Sequence, residues 1–115
     1  MIPCTEERIR LTQKIAEATQ ELRLLSYMPR YDEPNLPGRV TKIESCLRVL
    51  KEYMFQANKI DAGESITQRV RILRILDNAI AEVRPLTANS RRADWDWAIW
   101  LCLQAANEIH QAFLS

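Results

Sequence analysis

Two glycines and one histidine are all that 115 residues contain of those types, and these shortages exclude more chemistry than any residue present suggests. Two glycines rule out a Gly-rich phosphate loop and argue against a turn-rich sandwich or barrel. A single histidine removes any site that needs two, including the paired Glu-x-x-His motifs of a di-iron bundle. That histidine, His110, has Asn107 at i−3. The three cysteines, Cys4, Cys46 and Cys102, are odd in number, far apart and without a CxxC pair. With so little histidine they assemble no zinc set, and the expectation is small apolar residues, reduced, on helix faces. Long apolar runs are missing too: the longest, Trp97 to Leu103, ends at Gln104, far short of the roughly 18 residues of a membrane span. The start, Met1-Ile2-Pro3-Cys4-Thr5-Glu6-Glu7, has neither the basic region nor the apolar stretch of a signal peptide, so a cytoplasmic protein is expected. Charge of one sign is absent as well. Sixteen Lys and Arg against fifteen Asp and Glu leave +1, too little for an overall pull toward nucleic acid or membrane. No nucleophile elbow, phosphate loop or nucleotide fingerprint is found, and Glu17 and Glu21 share a helix face without a further partner. The expectation is a chain that is not an enzyme, with no catalytic residue, no cofactor and no metal.

What the chain does have is helical spacing. Apolar residues make up 47% and charged residues 27%, the balance of one folded domain over 1–115 rather than of a disordered chain. Four helices are predicted, over about 6–27, 38–60, 66–84 and 91–113. In the first, Leu11, Ile15, Ala18, Leu22 and Leu25 step by four and three behind a Thr5 N-cap, with Glu6 and Glu7 in the first turn. Pro29 stops it, and residues 29–38, with three of the five prolines, form a stiff connection. The second helix has the cleanest period: Val40, Ile43, Leu47, Leu50, Met54 and Ala57. Gly63 closes it. Ser65-Ile66-Thr67-Gln68 reads as a capping box for the third, whose expected buried stripe is Ile66, Val70, Leu73, Leu76, Ile80 and Val83, ending at Pro85. Asn89 or Ser90 is expected to cap the fourth, with Ala98, Leu101 or Cys102, Ala105, Ile109 and Ala112 facing inward. Four helices of similar length with short connections predict an all-α, antiparallel up-down four-helix bundle.

Two surpluses remain once that core is built. The run Trp95-Asp96-Trp97-Ala98-Ile99-Trp100 advances about 100° per residue, so Trp95 and Trp97 stand about 200° apart and cannot face one core. Trp95, Trp97 and Trp100 are therefore candidates for an oligomer or partner interface. Basic residues are the second surplus. Charge is uneven, +2 over residues 36–62 and −1 over 89–115, and Arg39, Lys42, Arg71, Arg74, Arg91 and Arg92 are the candidate phosphate contacts. Ion pairs within a solvated helix surface, such as Glu44–Arg48 at i,i+4, account for the same residues equally well.

Short motifs add a family expectation. Met28-Pro29-Arg30, Leu36-Pro37-Gly38-Arg39, Ile72-Leu73-Arg74 and Trp95-Asp96-Trp97-Ala98 resemble the turns and helix starts of a family of small four-helix-bundle proteins. That family includes the accessory variability determinant of diversity-generating retroelements and the protein encoded by 23S rRNA intervening sequences. The glycine of the second motif falls one position late, behind Pro37, and the chain is closer to neutral than the usual retroelement member. The resemblance implies a five-fold ring of bundles, a homo-oligomer that binds RNA or DNA and a partner reverse transcriptase while breaking no bond itself. The competing expectation is a protein-binding adaptor or inhibitor from a mobile element, acting through the tryptophans of the fourth helix without nucleic acid.

Overall fold

A computed structural model describes residues 4–26, 36–60, 66–87 and 89–114. Its elements are α1 (Cys4–Ser26), α2 (Leu36–Ile60), α3 (Ile66–Val83) and α4 (Arg92–Ile109), continued by a π-helical turn over His110–Leu114. No strand occurs among the described residues. Each helix packs on its neighbour in the chain, and α4 returns against α1, so four helices enclose one core within 53 × 22 × 20 Å. No helix is long and apolar enough to cross a membrane.

The core follows the apolar period closely in α1, α2 and α4. Leu11, Ile15, Ala18 and Leu22 are buried on α1, and all six expected positions on α2, from Val40 to Ala57, are buried. On α4, Ala98, Leu101, Cys102, Ala105 and Ile109 are buried, joined by Trp95, Ile99 and Ala106. Both members of the Leu101/Cys102 pair turn inward, because α4 touches α3 on one side and α1 on the other and buries a wide arc.

α3 differs from its expected stripe. Leu76 and Val83 are buried as expected, but Val70 is 48% exposed and the other buried positions are Arg69, Ile72 and Ala79; the side chain of Ile66 lies outside the described residues. Leu73, Ile75 and Ile80 flank the buried set, partly buried against the core. The reason is compositional. α3 carries apolar side chains on adjacent arcs, so spacing alone admits two overlapping faces about 60° apart that share Leu76 and Val83. Packing against α2 and α4 together selects the arc centred near Ile72 and Leu76.

Helix ends also depart from expectation. α1 already includes Cys4 and Thr5, so Thr5 is inside the helix rather than its cap. A one- to two-residue shift of this kind is common at helix ends. α4 starts on Arg91, in extended conformation and with no side-chain cap; its carbonyl accepts from Asp94 N and Trp95 N at 3.0 and 3.2 Å. Neither Asn89 nor Ser90 caps the helix, and the loop engages the Ser90 hydroxyl and the Asn89 backbone N–H. Ser90 Oγ accepts from Thr87 N at 2.8 Å, and Asn89 N donates to Thr87 Oγ1 at 3.2 Å. The last turn is π-helical rather than a plain continuation to residue 113. The Met28-Pro29-Arg30 turn, the rest of the proline-rich connection before Leu36, Gly63 and the Ser65 cap lie outside the described residues.

At one end of the cluster, Arg69 ties three elements. Its Nη1–H donates to the Ala57 carbonyl at 3.3 Å, in the last turns of α2 where carbonyls lack helical partners. Its guanidinium carbon lies 5.4 Å from the centre of the Phe113 ring, in the π turn, a cation–π distance. Burial, with the nearby Arg8 charge second, lowers the pKa of this arginine.

Candidate association surface on the outer face of α4

The six basic candidates do not form one patch. Arg39 is half-buried and its Nη1–H donates to the Leu25 carbonyl at 2.8 Å, joining the end of α1 to the start of α2. Lys42, one turn on, is exposed beside Glu21 at the open α1–α2 groove. Arg71 pairs with Glu108 at 3.2 Å, and Arg74, exposed one turn further along α3, has no ion-pair partner among the described residues. Arg91 lies 3.6 Å from Asp94, and Arg92 is exposed. Arg71 therefore sits by the C-terminal end of α4, while Arg91 and Arg92 mark its N-terminal end, about 25 Å away at 1.5 Å per residue. Lys42 is close in sequence to Glu44, which binds Arg84 at 3.0 Å. That is the far end of α3 from Arg71, about 20 Å by the same rise. The cations are spread along the bundle, and much of their charge is met locally.

The three tryptophans divide. Trp95 is 1% exposed and belongs to the core, which removes it from the exposed face of this chain. Trp97 and Trp100 are 50% and 52% exposed. Their rings stack, with centroids 5.3 Å apart and planes 12° from parallel, an offset contact that holds both indoles in one rigid apolar plate.

That plate stands in a strip the sequence reading did not isolate. Ala93, Trp97, Trp100, Gln104, Asn107 and Gln111 step by four and three along α4 and the π turn. Each is exposed except Gln104, which is half-buried. None is charged, and residues 97–107 contain no charged side chain at all. The other helices look different from outside. α1 shows Glu6, Glu7, Arg8, Arg10, Lys14, Glu17 and Glu21 to solvent, and α2 shows Lys42, Arg48 and Glu52. α4 thus carries two seams of coiled-coil spacing, one turned to the core and one turned out. The signal was present in the sequence as a second three-four series on one helix.

The remaining polar chemistry is structural. The Cys46 thiol donates to the Ala18 carbonyl at 3.2 Å. Burial, with Glu21 second, pushes its pKa up to about 12. Cys102 is likewise raised to about 12 by burial, with the Ser26 hydroxyl pulling the other way and Cys46 adding to the rise. Among the described residues, no three His, Cys, Asp or Glu side chains converge as a metal site would need. No family model, curated protein or solved structure matches the chain.

Proposed function

We propose that this chain is a non-catalytic four-helix bundle, antiparallel up-down, that works by protein association with its own kind through the outer face of α4. The up-down course is supported by contact pairs that run in opposite directions along neighbouring helices. Leu25 meets Arg39 and Ala18 meets Cys46; Glu44 meets Arg84, Lys51 meets Asp77 and Ala57 meets Arg69. One observation carries the association reading: two stacked, half-exposed indoles at the centre of the outward face of α4. Exposed aromatic plates of this kind are what interfaces bury at their centres, with tryptophan prominent among the residues that dominate affinity. Phosphate tracking by Arg39, Lys42, Arg71, Arg74, Arg91 and Arg92 ranks below it, because those residues are dispersed and several are engaged within the bundle.

Light scattering on the wild type and on Trp97→Ala/Trp100→Ala tests the reading. The wild type is expected above the 13.4 kDa of one chain, and the double variant at one chain mass with its helicity intact. A monomeric wild type, or a variant that still assembles, removes the proposal. Retention of RNA or DNA that Arg71→Glu/Arg74→Glu abolishes would move the function to nucleic acid.

A further inference from the structure

Independently of the association reading, we infer that His110–Leu114 is a strap that opens and closes as one unit, with Arg69 as its catch beneath Phe113. The boundary of that unit is built into the end of α4. Asn107 Oδ1 accepts from Arg23 Nη2–H at 3.2 Å, and Glu108 pairs with Arg71 at 3.2 Å. These contacts tie the helix to α1 on one side and to α3 on the other, and Ile109, the next residue, is fully buried. The pitch then changes. The His110 N–H is shared between the Ala106 and Asn107 carbonyls, a three-centre arrangement common at helix ends, and the five residues from His110 wind as a π turn. None of the five is buried, so a hinge at His110 releases them while the core residues of α4 stay packed.

What holds the strap down is a ring and an apolar edge. Ala112, Phe113 and Leu114 pack, partly buried, against the core, and the Phe113 ring covers the Arg69 guanidinium at 5.4 Å. Arg69 is fixed separately, through the Ala57 carbonyl at 3.3 Å, so the catch stays in place when the ring leaves it. The closed contact is finely balanced. A cation–π contact is favourable and strengthens with desolvation. Covering a guanidinium also costs hydration, and the nearby Arg8 charge adds repulsion. Lifting the strap rehydrates Arg69 beside Arg8 and puts a cationic surface where the closed chain has the Phe113 ring. A segment with few buried contacts beside a well-packed core opens before the bundle does, and π turns recur at such working positions.

Amide hydrogen exchange of the full chain, resolved by residue, reads the strap directly. In the wild type, residues 111–114 are expected to share one protection factor, with a step up to the amides before His110. Phe113→Ala leaves the bond from Arg69 to the Ala57 carbonyl in place and is expected to speed exchange across the whole strap about tenfold. Phe113→Leu keeps apolar bulk but removes the ring face, and is expected to speed it about threefold or more. Residues 98–106 should stay within about twofold of the wild type in both variants, since they belong to the packed unit. Protection that falls residue by residue from 110 to 114, with only the last amides speeded by Phe113→Ala, is ordinary fraying and would overturn the single unit. Wild-type rates in Phe113→Leu would overturn Arg69 as the catch. Speeding that spreads through 98–106 would make the turn part of the bundle's own unfolding and end the inference. Trp97 and Trp100 are untouched in both variants, so the association test succeeds or fails on its own.

Discussion

Trp95 and Trp97 are two residues apart, have the same side chain and are subject to opposite constraints. Trp95 is packed with 1% of its surface exposed, while Trp97 keeps half of its surface in solvent. Trp95→Ala removes a large core side chain, and such truncations cost about 3–5 kcal/mol. A drop of that size in urea unfolding is expected for Trp95→Ala, whereas Trp97→Ala loses only the ring stack with Trp100, about 0.5–1.5 kcal/mol. Equal losses would mean that the two indoles share a burial they do not show. The thiols carry the second residue-scale expectation. Folding raises Cys46 and Cys102 from the ordinary 9.0 to about 12, so the folded chain holds its thiol protons where the unfolded chain releases them. Their contribution to stability is therefore complete below about pH 9 and is lost as pH rises from there toward 12. In Cys4→Ser protein near pH 8, a disulfide reagent is expected to modify both thiols slowly and only as the bundle opens. Prompt labelling of Cys102 would contradict its burial. That both cysteines belong to helix faces was legible from their neighbours in sequence. Their mutual proximity was not, because it depends on how α2 and α4 approach one another.

At the scale of the element, α3 separates what periodicity decides from what it leaves open. On α2 the apolar set is narrow, and all six expected positions are buried. On α3 apolar residues occupy more than one arc, and the buried face is fixed by the helices on either side rather than by spacing. Arg69 was hidden for the same reason. An arginine in step with Ile72 and Leu76 reads as a solvent residue until the Ala57 carbonyl and the Phe113 ring are placed beside it. The rotation has a direct check. Val70→Glu puts a charge on an exposed position and is expected to change stability by no more than about 0.5 kcal/mol. Ile72→Ala opens a fully buried site and is expected to cost about 2–5 kcal/mol. The reverse order would restore the stripe through Val70 and Leu73. Arg69→Ala is expected to cost about 1–3 kcal/mol, since it leaves a buried carbonyl without its donor and removes the ring contact. Hydrogen exchange should show that loss first in the π turn.

For the molecule as a whole, electrostatics and apolar burial predict opposite responses to salt. The chain is nearly neutral, and its ion pairs lie between helices or within them, as in Lys51–Asp77, Arg84–Glu44 and Arg71–Glu108. Each pair has one exposed and one partly covered member, and pairs at the surface typically contribute about 0–1 kcal/mol each. The centre of the outward face of α4 is the apolar plate of Trp97 and Trp100, with charge only at its borders, from Asp96 and from the Arg23 guanidinium on Asn107. Assembly driven by burying Trp97 and Trp100 should therefore keep its mass when salt is raised from low to high, while the exposed pairs weaken within each copy. Attraction to a polyanion behaves otherwise, because each phosphate contact releases counterions and affinity falls steeply with salt. The sequence already held both possibilities: the tryptophan surplus on the fourth helix and the cations on the second and third. It held no means of ranking them, since placing Arg71 at one end of α4 and Arg91 at the other requires the fold. Light scattering across a salt series, read beside nucleic-acid retention in the same buffers, is expected to give a constant oligomer mass and no retained nucleic acid. A mass that collapses with salt would return the function to the basic residues. A constant mass that Trp97→Ala/Trp100→Ala reduces to one chain would fix the outer face of α4 as the working surface.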